Sequence, residues 1–438
     1  MREILAAHDV TRLFRFLKSR GFSRSAIAGA TGLSETRVRA IMLGSQQVAS
    51  YEVLERIADG FRIDRGLMGL AYTDASSQAV AQSSRLPAVD PSSHPDFLGA
   101  LAGFAVGSVP PQLARLLPEY PPIADGVPPV VTRQHIAMLR EVSDRHRRFD
   151  ADRGGGSCRD SAVAYLRWAH GMLGSRFTDE ADERMLKAAL SDMYQVVGWA
   201  CHDLGDHGSA RRYLTGGLAM AREIDDLPLI AGAFYRLGRV SIHQGRAQEA
   251  LRLWQLGQIV AQDSGCLVSV AVLHANEAWA YATLGSADLV CDALARAEGE
   301  LARVDADTVP SWAQFFLAPA DINGIAGVVY TCLATHPEHR AKYAPLAIER
   351  SALAYEQRQP GETRSRTFDA ISLASGYLLD GQLGVADRYA HTAIDMTAEI
   401  DSVRAFDRLG GMAELARPHA GNSGIAGVLD RIADISAG

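Results

Sequence analysis

Gly21-Phe22-Ser23-Arg24-Ser25-Ala26-Ile27-Ala28, continuing through Gly32-Leu33-Ser34-Glu35-Thr36-Arg37-Val38-Arg39-Ala40-Ile41, decides how the N-terminal end of this chain folds. Ser23 and Ser34 each stand just before a run with helical spacing, where a side-chain oxygen can cap the first free N–H groups of a helix. Ile27 with Ala28, and Val38 with Ile41, supply the inward faces, Gly32 supplies the turn, and Leu33 plugs the gap. The stretch therefore predicts two short helices, Arg24 to Ala30 and Ser34 to about Leu43, joined by a tight turn. Upstream, Val10, Leu13, Phe14 and Leu17 mark one face of a preceding helix that Gly21 ends. Downstream, Gly44 stops the third helix, Val53, Leu54, Ile57 and Ala58 give a fourth, and Ile63, Leu67, Met68 and Leu70 a fifth.

The charge of the 438-residue chain is unevenly spread. Its formal net charge is −7, yet residues 1–65 hold eleven Lys/Arg against seven Asp/Glu, so that segment is +4 and the remainder −11. A basic head on an acidic body suits a polyanionic partner confined to the head. Five scattered cysteines, Cys158, Cys201, Cys266, Cys291 and Cys332, form no CxxC pair, as expected of buried thiols in a reducing compartment. The N-terminus lacks the apolar core of a signal peptide. The longest uncharged stretch, Phe97 to Ala114, contains three glycines and Pro110-Pro111, which argues against a membrane span. The expectation is a cytoplasmic protein that does not contact the membrane.

The order of five helices carrying Ser23-Arg24-x-x-Ile27-Ala28-x-x-x-Gly32-Leu33-Ser34 resembles the Xre/Cro-type helix-turn-helix family over about residues 9–71. The resemblance implies a partner, double-stranded DNA, read by the third helix. Ser34, Glu35, Thr36, Arg37 and Arg39 then lie at the start and on the exposed face of the recognition helix. Thr36 and Arg37 are placed to reach base edges, and Arg39 a base or a phosphate, since a guanidinium fork donates twice to guanine. Arg24, at the preceding helix N-terminus, would hold a phosphate, and Gln46 would add a backbone contact. Glu35 departs from this pattern, because a carboxylate repels phosphate. Such headpieces usually read paired half-sites, so a homodimer is expected.

Beyond a linker at 73–95, rich in Ser, Ala, Gln and Pro, residues 96–190 form an irregular helical connecting region. Thr132 to Phe149 and a stretch from about Asp160 read as helices, with Gly154-Gly155-Gly156 as a flexible turn between them. Residues 191–438 show a recurring pattern. Gly205, Gly245 and Gly285 stand 40 residues apart, and Gly381 anchors a last unit. With each glycine at position fifteen, small residues recur at eight and twenty (Gly198 and Ala210; Gly238 and Ala250; Ala374 and Ala386), while Phe234 and Trp254 are large at four and twenty-four. The interval from Gly285 to Gly381 predicts one irregular unit with helices near Ile322–Ala334 and Tyr343–Gln357. The units resemble tetratricopeptide repeats with lengthened helices over about half the chain. The fold class expected is all-α: a helix-turn-helix domain (1–72) followed by a tetratricopeptide-like α-solenoid.

In such a stack the first helix of each pair lines the concave side. The resemblance places Asp192, Gln195, Trp199, His202 and Asp203, then Tyr235, Arg239 and His243, then Trp279, along that side. Gln195, Trp199, His202, Tyr235, Arg239 and Trp279 are thus the candidate ligand-binding residues, and Asn276 and Asn323 are further ones. Rings that bury apolar surface beside Arg239 suit an amphipathic ligand with a carboxylate. The layout is similar to peptide-pheromone-responsive regulators of Gram-positive bacteria and to tetratricopeptide-bearing regulators of Streptomyces and related actinobacteria. Its Ala- and Arg-rich, Lys-poor composition points to the second group. The implied function is DNA-binding regulation controlled by a small molecule or peptide. The other reading is a protein-binding adaptor whose head does not bind DNA.

The sequence contains no P-loop, GxSxG, HExxH or dinucleotide fingerprint, so neither catalytic residues nor a cofactor are expected. Cys201-His202 and His336-x-x-His339 are of metal-ligand type, but His336 and His339 flank Pro337 in an expected loop and read as a solvated turn, so no metal is expected.

Overall fold

The structure, a computed structural model, describes residues 10–19, 23–44, 46, 48, 51–61, 101, 126–305, 309, 313 and 318–437. The chain divides into two units, Met1–Val89 and Asp90–Gly438. The expected fifth helix around Ile63–Leu70, the role of Gly21, the 73–95 linker and most of 96–125 lie outside the described residues.

The first unit contains α1 (Val10–Ser19), α2 (Arg24–Thr31), α3 (Glu35–Leu43) and α4 (Tyr51–Gly60). The two serines do what the sequence asks of them. Ser23 accepts from Ala26 N at 3.0 Å and Ser34 from Arg37 N at 3.3 Å. Gly32 and Gly44 end α2 and α3 at φ of +64° and +80°, a left-handed conformation that costs a residue with a side chain. Phe14, Ile27, Leu33, Val38, Ile41 and Ile57 meet in one small core. Thr11 and Arg15 donate to the carbonyls of Ile41 and Met42, which fixes α1 against the end of α3.

The second unit is a succession of helical hairpins. It begins with α5 (Arg133–Arg153) and α6 (Arg159–Gly171), flanked by a two-residue parallel strand pair, β1 (Val130–Val131) and β2 (Arg176–Phe177). Six hairpins follow: α7 (Glu180–Asp203) with α8 (His207–Glu223), α9 (Leu227–His243) with α10 (Ala247–Ser264), α11 (Leu267–Thr283) with α12 (Ala287–Leu301), α13 (Pro319–Ala334) with α14 (Pro337–Gln357), α15 (Thr363–Leu379) with α16 (Leu383–Ala398), and α17 (Val403–Ala416) with α18 (Ser423–Ala437). Residue 190, expected to close the connecting region, falls inside α7. The first helix of each hairpin contacts the first helix of the next, giving a solenoid-like inner layer.

The glycine period has a single backbone cause. Gly205, Gly245, Gly285 and Gly381 have φ between +73° and +77°. In each case the following N–H reaches back five residues, as in Asp206 N to Cys201 O and Ser286 N to Tyr281 O. This is the six-to-one bond of a helix C-terminal cap, which requires a left-handed residue. The α13–α14 turn contains no such residue, because Thr335 stays right-handed and Pro337 begins α14 directly. The α17–α18 connection runs through a 3-10 turn, Arg417–His419. The glycine pattern therefore marks four of the six hairpins among the described residues.

Small residues at the crossings are structurally required. Gly238 lies against the indole of Trp254, which is fully buried and donates from Nε1 to Tyr235 O at 3.0 Å. A Cβ at residue 238 would land on that ring. Gly238→Ala is expected to destabilise the second unit by about 1–3 kcal/mol through overpacking, read as a lowered midpoint in urea denaturation followed by tryptophan fluorescence.

Two local expectations are corrected. Gly154-Gly155-Gly156 is not a flexible turn. Gly154 and Gly156 abut Asp401, and a Cβ on Gly155 would sit 2.6 Å from Ala200 O. Only hydrogen-sized side chains admit the crossing segment there. His336 and His339 do not form a solvated turn either. Both are half-buried over the Gly285 turn, His339 Nε2 lying 3.3 Å from Gly285 O. Among the described residues no helix is long and apolar enough to cross a membrane.

Candidate functional site

On the first unit, burial of Val38 and Ile41 turns the opposite side of α3 outward. Glu35, Thr36, Arg39 and Leu43 are exposed, and Thr36, Arg39 and Leu43 follow one another at helical spacing on the outermost stripe. Arg37 is not on that stripe. It is half-buried on the flank, its Nε enclosed and unbonded and its backbone N–H taken by Ser34. Ser34 is exposed but works as the cap, and Glu35 sits in the first turn, where a carboxylate suits the helix dipole. Arg24 is exposed at the start of α2, and Gln46 is exposed just past Gly44. Arg12, Arg15, Lys18 and Arg56 are exposed as well. Leu43 is 68% exposed on this stripe, although the sequence marks it only as the end of a helix.

In the second unit a cavity of about 1000 Å³ opens on the inner layer. Trp199, Tyr235, Arg239 and Asn276 line it, as do Phe368, Arg404 and Arg408. The remaining sequence candidates are placed behind the wall. Gln195 is buried, donating to Leu229 O at 3.1 Å and accepting from Arg236 at 3.0 Å. His202 is fully buried beside His207 and His243. Trp279 is 8% exposed and carries Arg239 over its ring at 4.7 Å. Asn323 bonds Gln357 and Arg350 instead of facing the cavity.

Rings and guanidinium groups alternate around this space. Trp199 stacks on Tyr235 with centroids 6.1 Å apart. Arg404 lies 4.7 Å over Trp199, and Arg408 lies 4.2 Å over Phe368 and 5.7 Å over Trp279. The arginines fall into two classes. Arg147, Arg358, Arg364 and Arg404 have carboxylates: Asp144 and Asp192, Asp321 and Asp369, Asp150, and Asp203 respectively. Arg239 and Arg408 are paired with no carboxylate among the described residues; the acceptors beside Arg239 are Asn276 Oδ1 at 3.5 Å and the Tyr235 hydroxyl. Burial, and then repulsion from neighbouring arginines, lowers Arg239 to about 10 and Arg408 to about 9, so both stay cationic at neutral pH.

The cavity wall is closed by contacts between distant segments. Asp203, fully buried, accepts from Arg404 Nε at 2.7 Å and from Gly155 N at 2.8 Å. Arg364 pairs with Asp150 at 2.6 Å and approaches Asp203 at 3.5 Å. Asp401 N bonds Arg153 O, and Thr363 bonds Asp152. Burial opposes a charge on Asp203, but Arg404, Arg364 and the Gly155 N–H prevail and hold its pKa below the usual carboxylate value. Asp150 is raised, by burial and by its neighbour Asp203. Nothing in the sequence singles out Arg404 and Arg408, whose four-residue spacing on α17 also fits a solvated helix face.

Buried thiols are inert here: Cys158 and Cys201 are pushed up to about 12, chiefly by burial. Among the described residues no group of three His, Cys, Asp or Glu side chains is arranged to hold a metal. No curated protein matches the chain. Residues 11–70 match a family model described as a helix-turn-helix domain, so the first unit carries a helix-turn-helix domain, joined in one chain to a body of stacked helices.

Proposed function

We propose that this chain is a sequence-specific DNA-binding transcription regulator of Xre type, acting as a homodimer and controlled by a small molecule or peptide held in a tetratricopeptide-like body. The observation that carries the reading is the outward stripe of α3 on a matched helix-turn-helix domain. A second support is the cavity of about 1000 Å³, a size within the range of small-molecule sites, whose wall includes aromatic rings and arginines. The reading is non-enzymatic, in keeping with a sequence that contains no P-loop, GxSxG, HExxH or dinucleotide fingerprint.

The test is footprinting on the promoter DNA of the protein's own gene, with and without culture extract. A protected region with two-fold symmetry and steep salt dependence is expected. Arg39→Ala should cost about 1–3 kcal/mol on the cognate site and relax the preference at one base pair. Arg24→Ala should weaken all sequences alike and lower the salt slope by about 1. Arg37→Ala also lowers affinity in this reading, and its half-buried placement predicts that part of the loss is conformational. Salt-independent association would overturn the reading. Absence of binding, together with one stoichiometric protein partner from lysate, would favour the adaptor.

A further inference from the structure

The chemical class of ligand that the body takes, and the way the fold registers it, rest on the proposed ligand control. A guanidinium withdrawn from bulk water without a counter-charge is costly. Here two half-buried guanidinium groups that have no carboxylate within ion-pair reach, Arg239 from α9 and Arg408 from α17, share the Trp279 ring and one cavity. Every other strongly buried arginine of this wall except Arg236, which bonds Gln195 and Gly232 O, has a carboxylate. Arg408 makes no hydrogen bond among the described residues, leaving its planar fork of N–H donors open. A carboxylate accepts two parallel N–H bonds from such a fork. The same wall carries apolar and aromatic side chains, Val196, Val272, Ile325, Val328, Trp199 and Phe368, beside carboxylates such as Asp150, Asp321 and Asp369 that are already paired with arginines.

We propose that the cavity binds a small amphipathic organic anion, its carboxylate taken by Arg239 and Arg408 and its apolar part laid against Trp199, Tyr235 and Phe368, and that α17 registers occupancy. α17 is suited to that role because of its register. Arg408 reaches into the cavity, and one turn earlier Arg404 enters the ion cluster that fastens α17 to Asp203 at the end of α7. An anion drawn to Arg408 draws α17 toward the cavity and firms its attachment to α7. Cation–π contacts alone would favour the same placement of Arg408 as a purely structural side chain, and the test separates the two.

The probes are 1-naphthaleneacetate and its neutral isostere 1-naphthaleneacetamide, titrated into the full chain by calorimetry with no DNA present. The acetate is expected to bind at one site at least tenfold more tightly than the amide. Arg408→Met and Arg239→Met should each bring that ratio close to one while changing amide affinity less than threefold. Both variants should melt, unliganded, no lower than wild type, since each removes an uncompensated charge. The acetate should slow hydrogen exchange across residues 403–416, and Arg404→Gln should abolish that protection. Equal affinities for the two probes, or a preference that survives in Arg408→Met, overturns the anion assignment while leaving ligand control standing. Failure of both probes to bind overturns both. A variant that melts lower and keeps the preference shows a structural arginine and overturns the assignment. Slowed exchange elsewhere but not at 403–416 overturns the role of α17.

Discussion

Asp203→Asn is expected to destabilise the second unit by about 3–5 kcal/mol, the usual cost of stranding one side of a buried ion pair. The replaced side chain is fully buried and receives Arg404, Arg364 and the Gly155 N–H. Asparagine keeps the shape but removes the charge, leaving Arg404 with no carboxylate in this cluster. The effect should extend beyond one helix. α5, α7, α15 and α17 meet here, and the neighbouring bonds from Gly156 N to Asp401 O and from Asp401 N to Arg153 O depend on the same approach. All five tryptophans lie after residue 150, so urea denaturation followed by their fluorescence reads this unit alone. Asp203→Asn combined with Arg404→Gln should recover part of the loss, because the orphaned charge is then gone. An additive double variant would show that the two residues do not act as a pair.

The second unit is also expected to lose about 2 kcal/mol of stability between pH 7.5 and 5.5. His202 and His243, rings 4.8 Å apart, are both held well below the ordinary histidine value. Burial is the main cause for each, followed by Arg404 for His202 and Arg239 for His243. The unfolded chain takes up protons at these rings below about pH 6.5 and the folded chain does not. Stability thus falls with pH there by up to about 1.4 kcal/mol per unit for each ring. Asp369 works in the opposite sense. Burial, only partly offset by Arg358, raises it to about 6, so the folded state gains a proton there that the unfolded state does not take until lower pH. Two rings outweigh one carboxylate over this window, which gives the net figure. In His202→Gln/His243→Gln the acid loss should shrink to less than half. An unchanged loss would assign acid sensitivity to groups outside this cluster.

Local signals were legible wherever the cause was local. Ser23, Gly32 and Ser34 specify α2, its turn and α3 because caps and left-handed turns are decided within a few residues. Gly205, Gly245, Gly285 and Gly381 specify four hairpins for the same reason. The expected irregular helices near 322–334 and 343–357 correspond to α13 and α14, whose apolar spacing persists without a turn glycine. The groove residues were only partly legible. Trp199, Tyr235 and Arg239 do line the cavity, whereas Gln195, His202 and Trp279 stand behind it. Repeat position fixes the side of a helix but not the depth at which a lengthened helix meets its neighbours. Thr36, Arg37 and Arg39 were equally near the start of α3, and only burial of Val38 and Ile41 sets Arg37 to the flank.

The amino-acid order alone determined that the chain is helical, where a helix-turn-helix begins, and how hairpins recur, since each follows from capping, turn chemistry and apolar period over short spans. Only the tertiary structure decided what the three adjacent glycines are for and which arginines matter. Gly154–Gly156 meet Asp401, and Asp203 meets Arg404, across more than two hundred residues. Such pairings arise when the stacked helices bring α17 back to α7, and burial and missing counter-charges exist only once those surfaces have closed.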